Sequence, residues 1–213
     1  MRVGKRCGAH EGSVEAVTGG SEHDAARAKD ADLLAAYVAG DQSVARQLTR
    51  AHAPRIFGHA VRVLGDAAEA EDVTQDALMR LWKIAPDWDA GRAQISTWLF
   101  RVTANLCTDR LRARRSVPLD DVDEPADTTL GAEAQLQQAA RMGALKIALN
   151  SLPDRQRQAV VLRHLDGLAN PQIAQILEIG VEAVESLTAR GKRALTAALA
   201  AQRPALGYDD DTT

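Results

Sequence analysis

One stretch near the C-terminus, Asn170 to Leu199 (NPQIAQILEIGVEAVESLTARGKRALTAAL), leaves the chain few ways to fold. Asn170 supplies a helix cap and Pro171 a first helical residue, whose missing N–H costs nothing there. Ile173, Ala174, Ile176 and Leu177 then form an apolar stripe, and Glu178-Ile179-Gly180 interrupts it. Gly180 is an acceptable N-cap for a second helix, in which Val184, Leu187, Gly191 and Leu195 recur at helical spacing. The opposite face of that helix carries Glu182, Glu185, Ser186, Arg190 and Arg193. A short helix braced against a longer one with a polar, partly basic outer face is the helix-turn-helix layout, whose second helix enters the major groove. A plain helical hairpin with a solvated face would give the same pattern without DNA.

The remainder predicts an all-α chain of two small helical domains joined by a flexible acidic linker. Apolar residues make up 46% of the 213, mainly Ala, Leu and Val, and aromatics only 3%, which favours helix over sheet. No segment alternates with a period of two. Residues 1–29 lack periodicity and read as a disordered N-terminal segment. Residues 30–115 form a first domain, with helices over about Ser43–Leu64, Ala67–Ile84 and Ile95–Arg115, the first bent or interrupted at Pro54. Residues 116–134 read as the linker, since Asp120, Asp121, Asp123, Glu124, Asp127 and Glu133 occur there without Lys or Arg. Residues 135–200 form the second domain. There Met142, Leu145, Leu149 and Leu152 line one helix, and Val160, Val161 and Leu165 the next, which ends at Gly167. Residues 201–213 read as a disordered tail.

Several function classes find no support. No run of about 18 apolar residues exists to cross a membrane. The basic start MRVGKRC is followed by GAHEGS instead of an apolar stretch, so no signal peptide is expected and the chain should be cytoplasmic. Cys7 and His10 have ligand-like spacing but no partners, and Cys107 sits among apolar helical positions as a small core residue. No metal site, cofactor, phosphate loop or nucleophile–base pair is expected, and therefore no enzyme.

Two constellations carry chemistry. In AEAEDVTQDALMRLWKI, Val73, Ala77, Leu78, Leu81 and Trp82 face a core, while Asp72, Gln75, Asp76 and Met79 lie opposite. That outer face is either an ordinary acidic helix start or a docking face for a basic partner helix. In WDAGRAQISTWLFRVTANLCTDRLRARRS, Trp98 and Phe100 read as a buried aromatic pair, followed by Arg101, Asn105, Asp109 and a basic helix end. Four arginines between Arg110 and Arg115 exceed what complementing a helix dipole requires and point to nucleic acid.

These blocks, with SLPDRQRQAVVLRHLDGLANPQIAQILEI, make the chain resemble a sigma-70-type RNA polymerase initiation factor of the small extracytoplasmic-function (ECF) group, over roughly residues 30–200. The resemblance implies a sigma-2 domain, a sigma-4 domain, core RNA polymerase and promoter DNA as partners, and an anti-sigma protein as inhibitor. It places Asp72, Gln75, Asp76 and Met79 against the polymerase clamp helices. It places Trp88 and Arg92, within or beside the base-capturing loop, with Trp98, Arg101, Asn105, Arg110, Arg112 and Arg115 on the minus-ten element. Aromatic stacking and Arg–phosphate pairing are the physical means. Glu182, Glu185, Ser186, Arg190 and Arg193 fall on the minus-thirty-five element. The chain departs from the family pattern at Glu178, where a turn glycine is common, and at the acidic Glu182 and Glu185. It departs also at Leu99, beside Trp98, which implies less stacking surface. Rival readings are a sigma-like decoy that sequesters an anti-sigma protein and a helix-turn-helix regulator of duplex DNA.

Overall fold

The computed structural model describes residues 18–89, 94–116 and 132–201, with side chains over 28–89, 94–115 and 140–201. Among these residues there is no strand. The helices are α1 (Thr18–Val38), α2 (Ser43–Leu64), α3 (Ala67–Ile84), α4 (Ile95–Ser116), α5 (Ala132–Asn150), α6 (Asp154–Val160), α7 (Asn170–Leu177) and α8 (Val181–Ala200).

The first domain comprises α1 to α4. Helix α1 starts at Thr18, ahead of the expected boundary at Asp30, so part of the segment expected to be disordered is helical. The run Ala25-Ala26-Arg27-Ala28-Lys29 has strong helix propensity, which a reading based on apolar periodicity overlooks. His52 Nε2 meets Asp30 Oδ2 at 2.9 Å and ties α1 to α2. Helix α2 runs through Pro54 without interruption. The ring removes one helical hydrogen bond, and because Pro54 is exposed, solvent can satisfy the carbonyl left over. Gly65, at φ +71°, ends α2 in the left-handed region. Asp66 then caps α3 by accepting the Glu69 N–H at 2.8 Å, a contact worth about 1 kcal/mol.

The core beneath these helices holds Leu48, Ile56, Val63, Val73, Ala77, Leu81, Leu99 and Cys107. Burial pushes the Cys107 thiol up to about 12, so it behaves as an apolar residue. Leu99 is wholly buried, which corrects the expectation that it replaces stacking surface: the side chain there points into the core and never faces a strand.

The second domain comprises α5 to α8. Its buried stripe on α5 runs through Ala144, Ala148 and Leu149, with Leu145 half-buried; Met142, expected on that stripe, is exposed. Helix α6 passes into a single π-helical turn, Val161–Leu165, in which Asp166 N–H bonds to Val161 O. Such a turn holds an extra residue and rotates the chain beyond it. Leu165, expected in the core, is thereby turned to solvent, and Asp166 is turned inward. Helix α7 is capped by Ala169 instead of Asn170, which becomes its first helical residue. Alanine offers no acceptor, so only half of a capping box forms: Ala169 N–H donates to Gln172 Oε1 at 3.0 Å.

The two domains pack on each other. Phe100 and Ala104 of α4 belong to the apolar cluster built by Leu162, Leu168, Ile173, Ile176 and Val184 of the second domain. Phe100 is edge-on to His59, with centroids 5.6 Å apart, and does not pair with Trp98 as the sequence suggested. Its distance from solvent, 2% exposed, reflects cover from both domains.

Candidate functional site

Three surfaces gather the residues singled out from the sequence. On α3, Val73, Ala77 and Leu81 are buried, which forces Asp72, Gln75, Asp76 and Met79 outward. Met79 is 62% exposed, unusual for so apolar a side chain. With Gln75 it borders a shallow groove of about 630 Å³ floored by Phe57, Leu78 and Trp82. An apolar floor rimmed by Glu71 and Gln75 suits a partner helix with an apolar ridge and a basic flank. Asp72 faces Arg110 of α4 at 3.5 Å, so Arg110 leans towards α3, as Arg114 does one turn on through Glu69.

The second surface is α4. Trp98 stands edge-on to Trp88, 5.9 Å between centroids, and the half-exposed pair forms an aromatic platform. Arg92 lies outside the described residues. Arg101 lies one turn beyond Trp98, and Asn105 and Arg112 come next on the exposed side. Arg112 is 3.9 Å from Asp109, and Arg115 pairs with Asp154 of α6. Arg114 has a structural duty that the sequence did not announce: it donates to Leu64 O at 2.9 Å and pairs with Glu69, closing the C-terminal end of α2.

The third surface is α8. Glu182, Glu185, Arg190 and Arg193 are exposed along one side, with Ser186 half-buried. Arg190 folds back onto Ser186, bonding its hydroxyl at 2.6 Å, and Asn170 Nδ2 lies 3.4 Å from Glu185 Oε1. Gly180 caps α8 as expected. Glu178, ending α7 at φ +54° and ψ +46°, is the one non-glycine residue at positive φ among the described residues. That conformation costs a side-chain-bearing residue about 1–2 kcal/mol. Its ion pair with Arg101, 3.5 Å and exposed, returns little. Glu178→Gly should therefore stabilise the second domain by about 1 kcal/mol in urea unfolding. A loss of stability would show that the turn is not strained.

Residues outside these surfaces join the domains, and sequence reasoning missed them. Asp166 accepts from His59 Nδ1 at 2.7 Å and from Arg62 at 2.5 Å, its side chain 3% exposed. Burial alone would raise its pKa, but the bonds from His59 and Arg62 hold the carboxyl below its ordinary value. Gln158 Nε2 donates to Ala104 O and Thr108 Oγ1, both at 2.9 Å. Arg157 reaches Val63 O at 2.7 Å and Asn150 O at 2.9 Å. No group of three or more His, Cys, Asp or Glu among the described residues is placed to hold a metal ion. No helix there is long and apolar enough to cross a membrane.

A helical docking domain with a basic aromatic helix, followed by a helix-turn-helix, defines a DNA-binding protein that works with a second macromolecule. Comparison with known proteins says which. The Sigma-70 region 2 family matches residues 48–117, and the Sigma-70 region 4 family residues 143–195. The ECF RNA polymerase sigma factor SigM of Mycobacterium tuberculosis is 35% identical over 86% of this chain and 90% of its own. The ECF RNA polymerase sigma factor SigW of Bacillus subtilis is 30% identical over 73% and 89%. Among solved structures, CnrH in complex with the cytosolic domain of CnrY is 27% identical, with TM-score 0.61 over 81% of this chain and 97% of that one. The sigma factor RpoE in complex with the anti-sigma factor NepR from Bartonella quintana, 23% identical, shares the fold with TM-score 0.56 over 72% and 95%. The chain belongs to the ECF group of the sigma-70 family and is a transcription initiation factor.

Proposed function

We propose that this factor engages core polymerase through Asp72, Gln75, Asp76 and Met79, reads the minus-ten strand with α4, and reads the minus-thirty-five duplex with α8. The observation that carries the reading is the division of α3 between a fully buried stripe and an exposed face on which Gln75, Asp76 and Met79 are left to solvent. On α4, Trp88 and Trp98 stack unpaired bases while Arg101, Asn105 and Arg112 meet phosphates and base edges. Arg92 and Arg115 add to the minus-ten contacts, and Arg110 does so once released from Asp72. The functional units are residues 30–115 and 135–200, and the protein works in the cytoplasm. The complex of CnrH with the cytosolic domain of CnrY supports a protein partner for this chain too, and the family resemblance makes that partner an anti-sigma protein.

Run-off transcription with purified core polymerase on genomic fragments tests the whole reading. Within it, Asp76→Arg should weaken core binding about tenfold or more, the effect of losing one interface anchor, with melting temperature unchanged. An unaltered titration would remove Asp76 from the interface.

Readout by α8 rests on Glu185. A carboxylate is repelled by phosphate yet accepts a hydrogen bond from cytosine N4 in the major groove. Ala189, one turn further on and exposed, leaves room for it to reach a base edge. Arg190 and Arg193 then hold phosphates and set the register. Glu185→Ala should relax a cytosine preference by about 1–3 kcal/mol in a selected promoter library. An identical minus-thirty-five consensus from both proteins would rule out base reading by Glu185.

A further inference from the structure

Four arginines converge on one hollow of about 630 Å³ between the domains: Arg80 from α3, Arg112 and Arg115 from α4, and Arg155 from α6. Among the described residues only two carboxylates line it. Asp154 pairs with Arg115, while Asp109 stands 3.9 Å from Arg112 in an exposed contact that contributes little. Neither Arg80 nor Arg155 forms an ion pair among the described residues. Four arginines less two aspartates leave the hollow with a surplus of two positive charges, in a chain whose formal net charge is −3. A cleft of one sign between low-dielectric walls focuses its field and draws in anions.

The facing wall is apolar. Leu177 at the end of α7, Ile179 in the turn and Leu187 of α8 are each half-buried and open onto the hollow. Leu187 belongs to the stripe that helical spacing assigns to the core, yet part of its surface stays free. A surface that binds only phosphate has no use for such a wall, whereas a flat base does. Guanidinium forks hold phosphate oxygens in pairs, which suits the charged side to a chain of phosphates. The volume lies within the range of small-ligand pockets, about 300–1,000 Å³.

We infer that this hollow is a binding site for a nucleoside polyphosphate. Its phosphate chain lies among Arg80, Arg112, Arg115 and Arg155, and its base rests against Leu177, Ile179 and Leu187. A polynucleotide suits the hollow less well, because the arginines ring a space walled by both domains instead of following a track along one face. The inference does not depend on the promoter contacts proposed above. Arg112 and Arg115 belong to both sets and can serve only one ligand at a time.

Titration calorimetry on the full chain tests this with ATP, GTP, inorganic tripolyphosphate and a single-stranded oligonucleotide. ATP or GTP should bind with one-to-one stoichiometry in the micromolar range. The better of the two should bind about tenfold tighter than tripolyphosphate, which carries no less charge but has no base. Arg80→Ala and Arg155→Ala should each weaken that nucleotide about tenfold, the effect of one lost charge-assisted contact. Both side chains are exposed, so the ligand-free variants should melt no lower than the parent. Arg50→Ala, exposed on α2 and outside the hollow, makes the same change in charge and should leave nucleotide binding intact. Arg155→Ala should keep oligonucleotide affinity within about twofold. Absence of nucleotide binding overturns the inference, as does an affinity indifferent to Arg80 and Arg155. Tripolyphosphate binding as tightly as the nucleotides overturns it by removing the base from the site. An oligonucleotide that loses as much affinity as the nucleotide in Arg155→Ala overturns it by making the hollow part of the strand's path.

Discussion

Arg157→Met should lower stability by about 2–4 kcal/mol, a loss as large as any expected from a single substitution in the polar seam. Arg157 is 6% exposed and has no carboxylate partner among the described residues. Its guanidinium instead faces carbonyls at the ends of two helices, Val63 O in the last turn of α2 and Asn150 O at the end of α5, with Leu152 O just past it. These are groups that a helix leaves without internal donors, and they carry the negative end of its dipole. Methionine fills similar volume but leaves them buried and unpaired, at about 1–3 kcal/mol each, partly offset because the cation no longer has to be desolvated. That desolvation, with the charges of Arg115 and Arg114, already lowers the pKa of Arg157. Arg157→Lys should recover less than half of the loss, since one ammonium cannot span both helix ends as a planar fork does. Urea unfolding decides the matter. A Met variant within about 0.5 kcal/mol of the parent would mean that water replaces the guanidinium.

Gly191→Leu should cost about 3 kcal/mol or more and disable the second domain. A side chain at 191 would start 2.5 Å from Val160 Cγ2 and 3.1 Å from Gln156 O, so α8 crosses α6 at near backbone contact. Glycine inside a helix forfeits about 1 kcal/mol relative to alanine, and here the close crossing outweighs that loss. Gly191→Ala sets the two effects against each other and should be destabilising by up to about 2 kcal/mol. Gly143→Ala is the internal control. Nothing lies within 4 Å of that position, so it should stabilise α5 by about 0.5–1 kcal/mol. If thermal melting ranks Gly191→Leu with Gly143→Ala, the crossing is looser than the structure has it.

Periodicity in the chain reports the helices well because it reflects local amphipathicity. The outward face of α3 and the turn at Glu178 were both readable in this way. The seam between the domains was not, for a physical reason. Asp166, Arg157 and Gln158 look like solvated polar residues until tertiary partners bury them, and a π turn shifts register where the pattern assumes 3.6 residues per turn. One signal was present. On α4, Leu99, Thr103, Cys107 and Leu111 form a buried stripe, while Phe100, Ala104 and Thr108 form a second stripe at spacing four. A helix with two adjacent stripes needs two partners, and the second is the other domain. Met142 failed for the opposite reason: a single apolar residue midway along a helix need not be covered.

The groove along α3 is lined entirely by residues of the first domain: Ala53, Pro54, Phe57, Glu71, Thr74, Gln75, Leu78, Met79 and Trp82. The second domain takes no part in it. A visitor seated there would meet the first domain alone, leaving the seam and the helix-turn-helix untouched by the encounter.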